Sequence, residues 1–261
     1  FEGVPTREAY AHGRDAARRA LGLDPDLAEV HTALGGLALY HEWDWKASEE
    51  HLLRALDLNP NYAQAHHFLG MAQFLLDREG PGIESLKVAN RLNPLGNSFL
   101  YTLYIWLYDA GRVEEAVAVF RKAERLEPPV PYGLLNVSSF LFKEGQAEEA
   151  FRTLRKWGEV TGYPDPDRLP LVLKAREAPE LTEEAVALLE DVRTALGLQA
   201  GDLMGLYLHL PAPDVVLRIV REAIAARHVI VPFLGMNPSR RRIFELPQVW
   251  AELVKAGVPY L

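Results

Sequence analysis

The sequence predicts an all-α protein built from stacked antiparallel helix pairs. Three observations carry this. Pro60, Pro94 and Pro128 stand 34 residues apart, and Ala55, Ala89 and Ala123 keep the same interval. Leu52, Leu86 and Phe120 repeat it again. A fixed period of this length is the mark of a helical array in which each unit buries its apolar faces only against its neighbours.

The period divides into two helices. In residues 98–128, helix A is predicted over about Ser98 to Ala110 and helix B over about Val113 to Leu126. Gly111 lies between them, where the end of a helix favours a left-handed residue. Glu114 and Glu115 fall at the positive end of the helix B dipole. Pro128 closes the unit, because proline cannot continue a helix and restricts the residue before it. Ala116, Phe120 and Ala123 share one face of helix B. The alanines allow close approach, and Phe120 fills the space between layers.

Other stretches repeat this arrangement in the same order. Residues 63–94 carry His66, Leu69-Gly70, Gly82, Leu86, Ala89 and Pro94, and residues 28–60 carry His31, Leu34-Gly35, Ser48, Leu52, Ala55 and Pro60. Residues 97–128 carry Leu103, Ala116, Phe120, Ala123 and Pro128, with Tyr104 where a small residue is usual. The pattern resembles the tetratricopeptide repeat (TPR). That resemblance implies a right-handed superhelix of antiparallel helix pairs. Pro25 and Pro60 are 35 residues apart, so one residue is inserted near His41-Glu42-Trp43-Asp44-Trp45, where the two tryptophans are read as wedges between layers. The tryptophan-rich stretch is similar to TPR segments attached to bacterial transcriptional regulators, adenylate cyclases and kinases.

The array is predicted to cover residues 1–158: a partial first repeat over 7–22, three clear repeats, and a degenerate one with Gly145, Ala150 and Leu154. Trp157 there replaces the small alanine. A chain opening on a helix B without its helix A is expected to be part of a longer protein or to lack a processed leader. After Gly158 the period is lost, and GYPDPD (162–167) reads as a turn. Residues 159–261 are expected to form a helical, partly irregular C-terminal cap, either separate from the array or continuous with it. Helices are predicted at about 168–177, 180–196, 201–210 and 213–227. Val215, Ile219, Ala223 and Ala226 would form the inner face of the last of these. An apolar segment, HVIVPFLGMNP (228–238), leads to a final helix from Pro247 with Trp250, Leu253 and Val254 turned inward. Phe233, Pro238, Pro247 and Trp250 carry the resemblance of this end to the caps of such arrays.

Composition narrows the function classes. There are 28 basic and 36 acidic residues, a net charge of −8, and no cysteine. An acidic chain lacks the clustered basic surface that nucleic acids require, so no nucleic-acid partner is expected. Arg240-Arg241-Arg242 is one basic run, read as a solvated face. Without cysteine there is neither a disulfide nor a thiolate metal site. No apolar run approaches the length of a membrane helix, so no membrane partner is expected. A cytoplasmic location is expected.

No catalytic residue is assigned, and the chain is expected not to be an enzyme. The glycines form no strand-to-helix phosphate loop, and no Gly-x-Ser-x-Gly elbow occurs. His31, His41, His51, His66 and His67 make no His-x-x-x-His pair on one helical turn. A metal site would need ligands converging from different helices, so these are read as packing or groove-lining residues. No metal or cofactor is expected. The acidic pairs Glu49-Glu50, Glu114-Glu115, Glu148-Glu149 and Glu183-Glu184 complement helix dipoles.

In the family it resembles, helix A lines a concave groove. Carried onto this chain, the groove positions are Thr32, Gly36 and Leu39, then His67, Met71 and Phe74, then Tyr101, Ile105 and Tyr108, then Asn136, Ser139 and Phe142. This row is aromatic and apolar, which suits a protein or peptide segment or self-association. Thr32, His67 and Tyr101 stand where a carboxylate clamp would place lysines, so capture of a chaperone tail is not expected. Two arrangements stay open: the row lines an open groove, or residues 159–261 fold back over it and make it core. The function expected is a non-catalytic interaction scaffold, the regulatory or sensory part of a longer protein. The alternative is a small-molecule or lipid sensor with an apolar cavity between array and cap.

Overall fold

A computed structural model describes residues 6–126, 129–208, 210–226, 228, 231, 234 and 246–258. Pro128, Phe233, Pro238, Arg240-Arg241-Arg242 and most of the apolar segment 228–238 lie outside the described residues. The described residues are helical, with no strand among them. They form two compact units, one holding the first seven α-helices with Val258 and the other holding the rest.

The first unit opens with a lone helix, α1 (Thr6–Leu23), and continues as three pairs. These are α2 (Ala28–Leu37) with α3 (Trp45–Leu58), α4 (Ala63–Leu75) with α5 (Glu79–Leu92), and α6 (Asn97–Asp109) with α7 (Val113–Ala123). The second unit begins with one more pair, α8 (Pro131–Lys143) and α9 (Ala147–Thr161). Helices of unequal length follow: α10 (Pro170–Lys174), α11 (Thr182–Leu196), α12 (Met204–Tyr207), α13 (Pro213–Ala225) and α14 (Pro247–Lys255).

The 34-residue period is visible as a repeated set of contacts. A Cβ on Gly35 would lie 2.6 Å from Leu52 Cγ and 3.2 Å from the Ser48 carbonyl oxygen. A Cβ on Gly70 would lie 2.7 Å from Leu86 Cγ and 2.8 Å from the Gly82 carbonyl oxygen. The same close approach is thus built twice, from residues at matching positions. His31 Nε2 meets the Pro25 carbonyl at 3.1 Å, and His66 Nε2 meets the Pro60 carbonyl at 2.9 Å. Ala55, Ala89 and Ala123 are fully buried. The turn between the two helices of each pair holds one left-handed residue: Trp43 at φ 58°, Asp77 at 57°, Gly111 at 73° and Gly145 at 77°. These are helix pairs of the tetratricopeptide type.

Those matching positions also locate the extra residue of the first pair. From Gly35 to Gly70 the spacing is 35, but the left-handed turn residues Trp43 and Asp77 are already 34 apart. The insertion therefore falls between Gly35 and Trp43. There the chain makes a π turn over Ala38–Glu42, the way a helix absorbs one added residue. Trp43 and Trp45 are both buried, and Trp43 Nε1 donates to the Tyr40 carbonyl at 3.2 Å. Asp44 caps α3 by accepting from the Ala47 N–H at 3.0 Å.

Where the sequence departs from the pattern, the packing departs too. Tyr104 occupies the position of Gly35 and Gly70, is buried, and packs its ring 5.6 Å from that of Phe120. Its counterpart in α8 is the small Ser138, fully buried with its hydroxyl donated to the Leu135 carbonyl. Between pairs, Asn90 Nδ2 bridges the carbonyls of Leu86 and Phe99 at 2.9 and 3.2 Å. Asn97 Nδ2 reaches the Leu126 carbonyl at 3.2 Å.

In the second unit, Trp157 is buried at the place of the repeat's alanine. Beside it, a Cβ on Gly158 would meet Leu169 Cδ1 at 2.6 Å and Pro166 Cβ at 2.9 Å. The chain after α9 thus folds directly onto that helix, and regular stacking ends there. Polar ties then join the irregular helices. Tyr163 Oη donates to Asp191 at 2.8 Å. Glu190 Oε1 accepts from Arg218 at 2.6 Å and Tyr207 Oη at 3.2 Å, while Arg193 binds Glu190 and Glu222, each at 3.2 Å. Burial alone would raise the Glu190 carboxyl, but the Arg218 bond and the two arginine charges outweigh it and hold its pKa low.

The inner faces of the last two helices differ from those predicted. In α13 the buried residues are Val216, Ile219, Val220 and Ala223, with Ala226 exposed. In α14 Val249 and Leu253 are buried, and Val254 is 55% exposed.

Candidate functional site

Helix A of each pair carries the predicted groove row, and all twelve of its positions are buried. Their surroundings explain the burial. On α2, the Thr32 hydroxyl donates back to the Ala28 carbonyl at 2.9 Å. The Phe68 ring comes within 2.9 Å of where a Cβ on Gly36 would be. On α4, His67 stacks on Phe99 with ring centroids 4.4 Å apart. Met71 Sδ accepts from Tyr40 Oη at 3.4 Å, and Phe74 stacks on Trp106 at 4.0 Å. On α6, the Tyr101 ring lies 6.4 Å from Phe120, and Tyr108 lies 6.4 Å from Tyr104, with Ile105 buried between. Gly36 of α2 and His67 and Phe74 of α4 thus meet side chains of the next helix A along the chain, whereas Tyr101 of α6 meets α7.

His67 is the row's least satisfied member. Both ring nitrogens are buried without a hydrogen-bond partner, and burial pulls the imidazole pKa down from 6.5 to about 4. At neutral pH the ring is uncharged and serves as an aromatic surface for Phe99.

In the second unit the cover over the row can be named. Asn136 Nδ2 donates to the Tyr132 carbonyl at 2.8 Å, and its Oδ1 lies 3.7 Å from where a Cβ on Gly205 would be. Arg176 Nη1 donates to the Ser139 carbonyl at 3.3 Å. The guanidinium of the same residue sits 5.4 Å from the centroid of the Phe142 ring, within reach of a cation–π attraction. Phe142 also lies 5.8 Å from the Phe151 ring. Residues after α9 therefore pack on the α8 part of the row. We expect Arg176→Ala to lower stability by about 1–3 kcal/mol, since it deletes a charged hydrogen bond and leaves a carbonyl uncovered. Urea unfolding followed by circular dichroism checks this.

Two features have no counterpart in the predicted row. Arg176 follows α10, outside the repeat, so no periodic position singles it out. His51 lies on helix B, yet its Nδ1 is 3.3 Å from His31 Nδ1 on helix A. The 20-residue spacing of these histidines carries no signal until the two helices are paired. Among the described residues no three His, Asp or Glu side chains converge as a metal-ligand set, and no helix is long and apolar enough to cross a membrane.

No protein-family model and no curated protein matches the chain. Among solved structures, MamA is similar at 21% identity and a TM-score of 0.49, covering 61% of this chain and 95% of MamA. Yeast Tom70 is similar at 15% identity and a TM-score of 0.46, covering 96% of this chain. The chain spans 59% of the length of that Tom70 chain. Both likenesses are too distant to bear on function.

Proposed function

We propose that the chain is a non-catalytic interaction scaffold that binds a protein or peptide segment, as the regulatory part of a longer protein. The observation that carries this is the repeated helix-pair contact set around Gly35 and Gly70. Such arrays present continuous surface along one stack of helices, and binding is the general use of that surface. The proposed contacts are the row residues from Thr32 to Tyr108 in the first unit and, taken by themselves, Asn136, Ser139 and Phe142 in the second, with Tyr101 and Tyr108 as aromatic anchors. Because the row is buried, engagement requires local opening, which in the second unit means release of Arg176 from Ser139 and Phe142. Nucleic acid is not a proposed partner, given the net charge of −8.

The test is capture of a partner followed by hydrogen exchange with the purified pair. The expected result is altered exchange in α2, α4, α6 and α8, with faster exchange around residues 170–176. Altered exchange confined to α3, α5 and α7, on the opposite helices of the pairs, would refute the row as the contact. Light scattering of the chain alone, across concentration, tests self-association through the same surface.

A further inference from the structure

We propose that His31 and His51 form a binding site for a single divalent transition-metal ion, zinc in the first instance, bridging α2 and α3. Their Nδ1 atoms are 3.3 Å apart. Two nitrogens of a tetrahedral zinc site, each about 2.0–2.1 Å from the ion, are separated by about 3.3–3.4 Å. The two side chains come from different helices and are both partly exposed, so an ion can enter and water can complete its coordination.

His31 is held in the tautomer that ligation needs. His31 Nε2 lies 3.1 Å from the Pro25 carbonyl. A carbonyl only accepts, so Nε2 carries the proton and the neutral ring keeps a lone pair on Nδ1. This outer bond to a backbone carbonyl is the usual support of a ligating histidine. In the metal-free protein His51 Nδ1 therefore donates to His31 Nδ1. The ion takes the place of that proton, which moves to His51 Nε2, and the site carries the full charge of the cation. With ring centroids 5.6 Å apart the two Nδ1 atoms face each other in line, so convergence on one ion asks both part-buried rings to turn by about 35°. Burial and the neighbouring His31 lower the His51 pKa, while the Glu50 and Glu42 carboxylates act in the opposite sense. Those two carboxylates equally favour a bound cation.

The repeat supplies its own control. His66 matches His31 and makes the same bond to the Pro60 carbonyl. The residue that matches His51 is Ser85, whose hydroxyl donates to Gln73. One repeat thus has the pair and the next has half of it.

The experiment is calorimetric titration of the tag-free 261-residue chain with zinc chloride, with cobalt(II) absorption reporting the geometry and circular dichroism the fold. The expected result is one ion per chain, lost in His31→Gln and in His51→Gln and kept in His66→Gln. Ser85→His is expected to raise the stoichiometry from one to two. No binding by the wild type, or binding unchanged in His51→Gln, overturns the proposal. A wild type that binds without any gain in Ser85→His places the ion outside the paired-imidazole geometry and overturns it too.

Discussion

Between pH 6.5 and pH 4 the protein is expected to lose about 3 kcal/mol of stability through His67 alone. The folded-state pKa of this imidazole is about 4, against 6.5 for the exposed group. Above pH 6.5 the ring is neutral in both states and the full stability is present. As pH falls through this window the unfolded chain takes up a proton that the folded chain cannot, so the equilibrium moves toward unfolding. Below the folded value the loss is complete. The cause is local: the ring is stacked on Phe99, and both its nitrogens are buried without a partner. A proton placed there is penalised by the burial of the ring. His67→Phe keeps an aromatic surface and removes the two unpaired nitrogens. It is expected to leave the protein as stable as the wild type or more so at pH 7, and to flatten the pH dependence across this window. Urea midpoints for both proteins at half-unit pH steps measure the difference. Parallel curves would show that His67 is not the group responsible.

His67 also shows what a helical period can reveal in a sequence and what it cannot. The interval placed this residue on helix A among Met71 and Phe74, and the structure puts all three on α4. It could not say whether a stacked neighbour leaves the ring a partner, because that depends on the side chain at Phe99 and on the distance between helices. The close approaches at Gly35 and Gly70 were legible because each appears twice, opposite residues that also repeat. The insertion was legible as a count of one, while its form as a π turn was not, since any loop could have taken up one residue. In α13 the period has gone. DVVLRIVREAIAAR is apolar at both Val215 and Val216, and a shift of one residue turns a helix by 100°. Nothing local decides between these phases; the packing selects Val216 and Val220. Arg176 lies outside the repeat, so its contacts with Ser139 and Phe142 have no period to betray them. His31 and His51 became a pair only when α2 and α3 were laid together.

Phe120→Ala is expected to cost about 3–5 kcal/mol, a large part of the stability of an ordinary domain. Phe120 is 2% exposed and stands where the other pairs carry Leu52, Leu86 and Leu154. In those pairs the facing residue on helix A is Gly35, Gly70 or Ser138. In this pair it is Tyr104, and the two rings lie 5.6 Å apart, with Tyr101 6.4 Å away on the same helix. Removing Phe120 therefore empties space between α6 and α7 that no small-residue contact can close, because Tyr104 itself holds the position of close approach. Removing Tyr104 instead restores a small residue opposite Phe120 and lets the two helices approach as they do around Gly70. Tyr104→Ala should accordingly cost less than Phe120→Ala. The double variant should cost less than the sum of the two by about 1 kcal/mol or more, since both changes act on one cavity. Leu53→Ala, at a side chain 48% exposed, serves as the reference and should change stability by no more than about 0.5 kcal/mol. Thermal and urea unfolding of the four variants supplies the cycle. Additive costs for Tyr104 and Phe120 would mean that the rings do not share a site, and that the third pair packs as the second does despite its change of sequence.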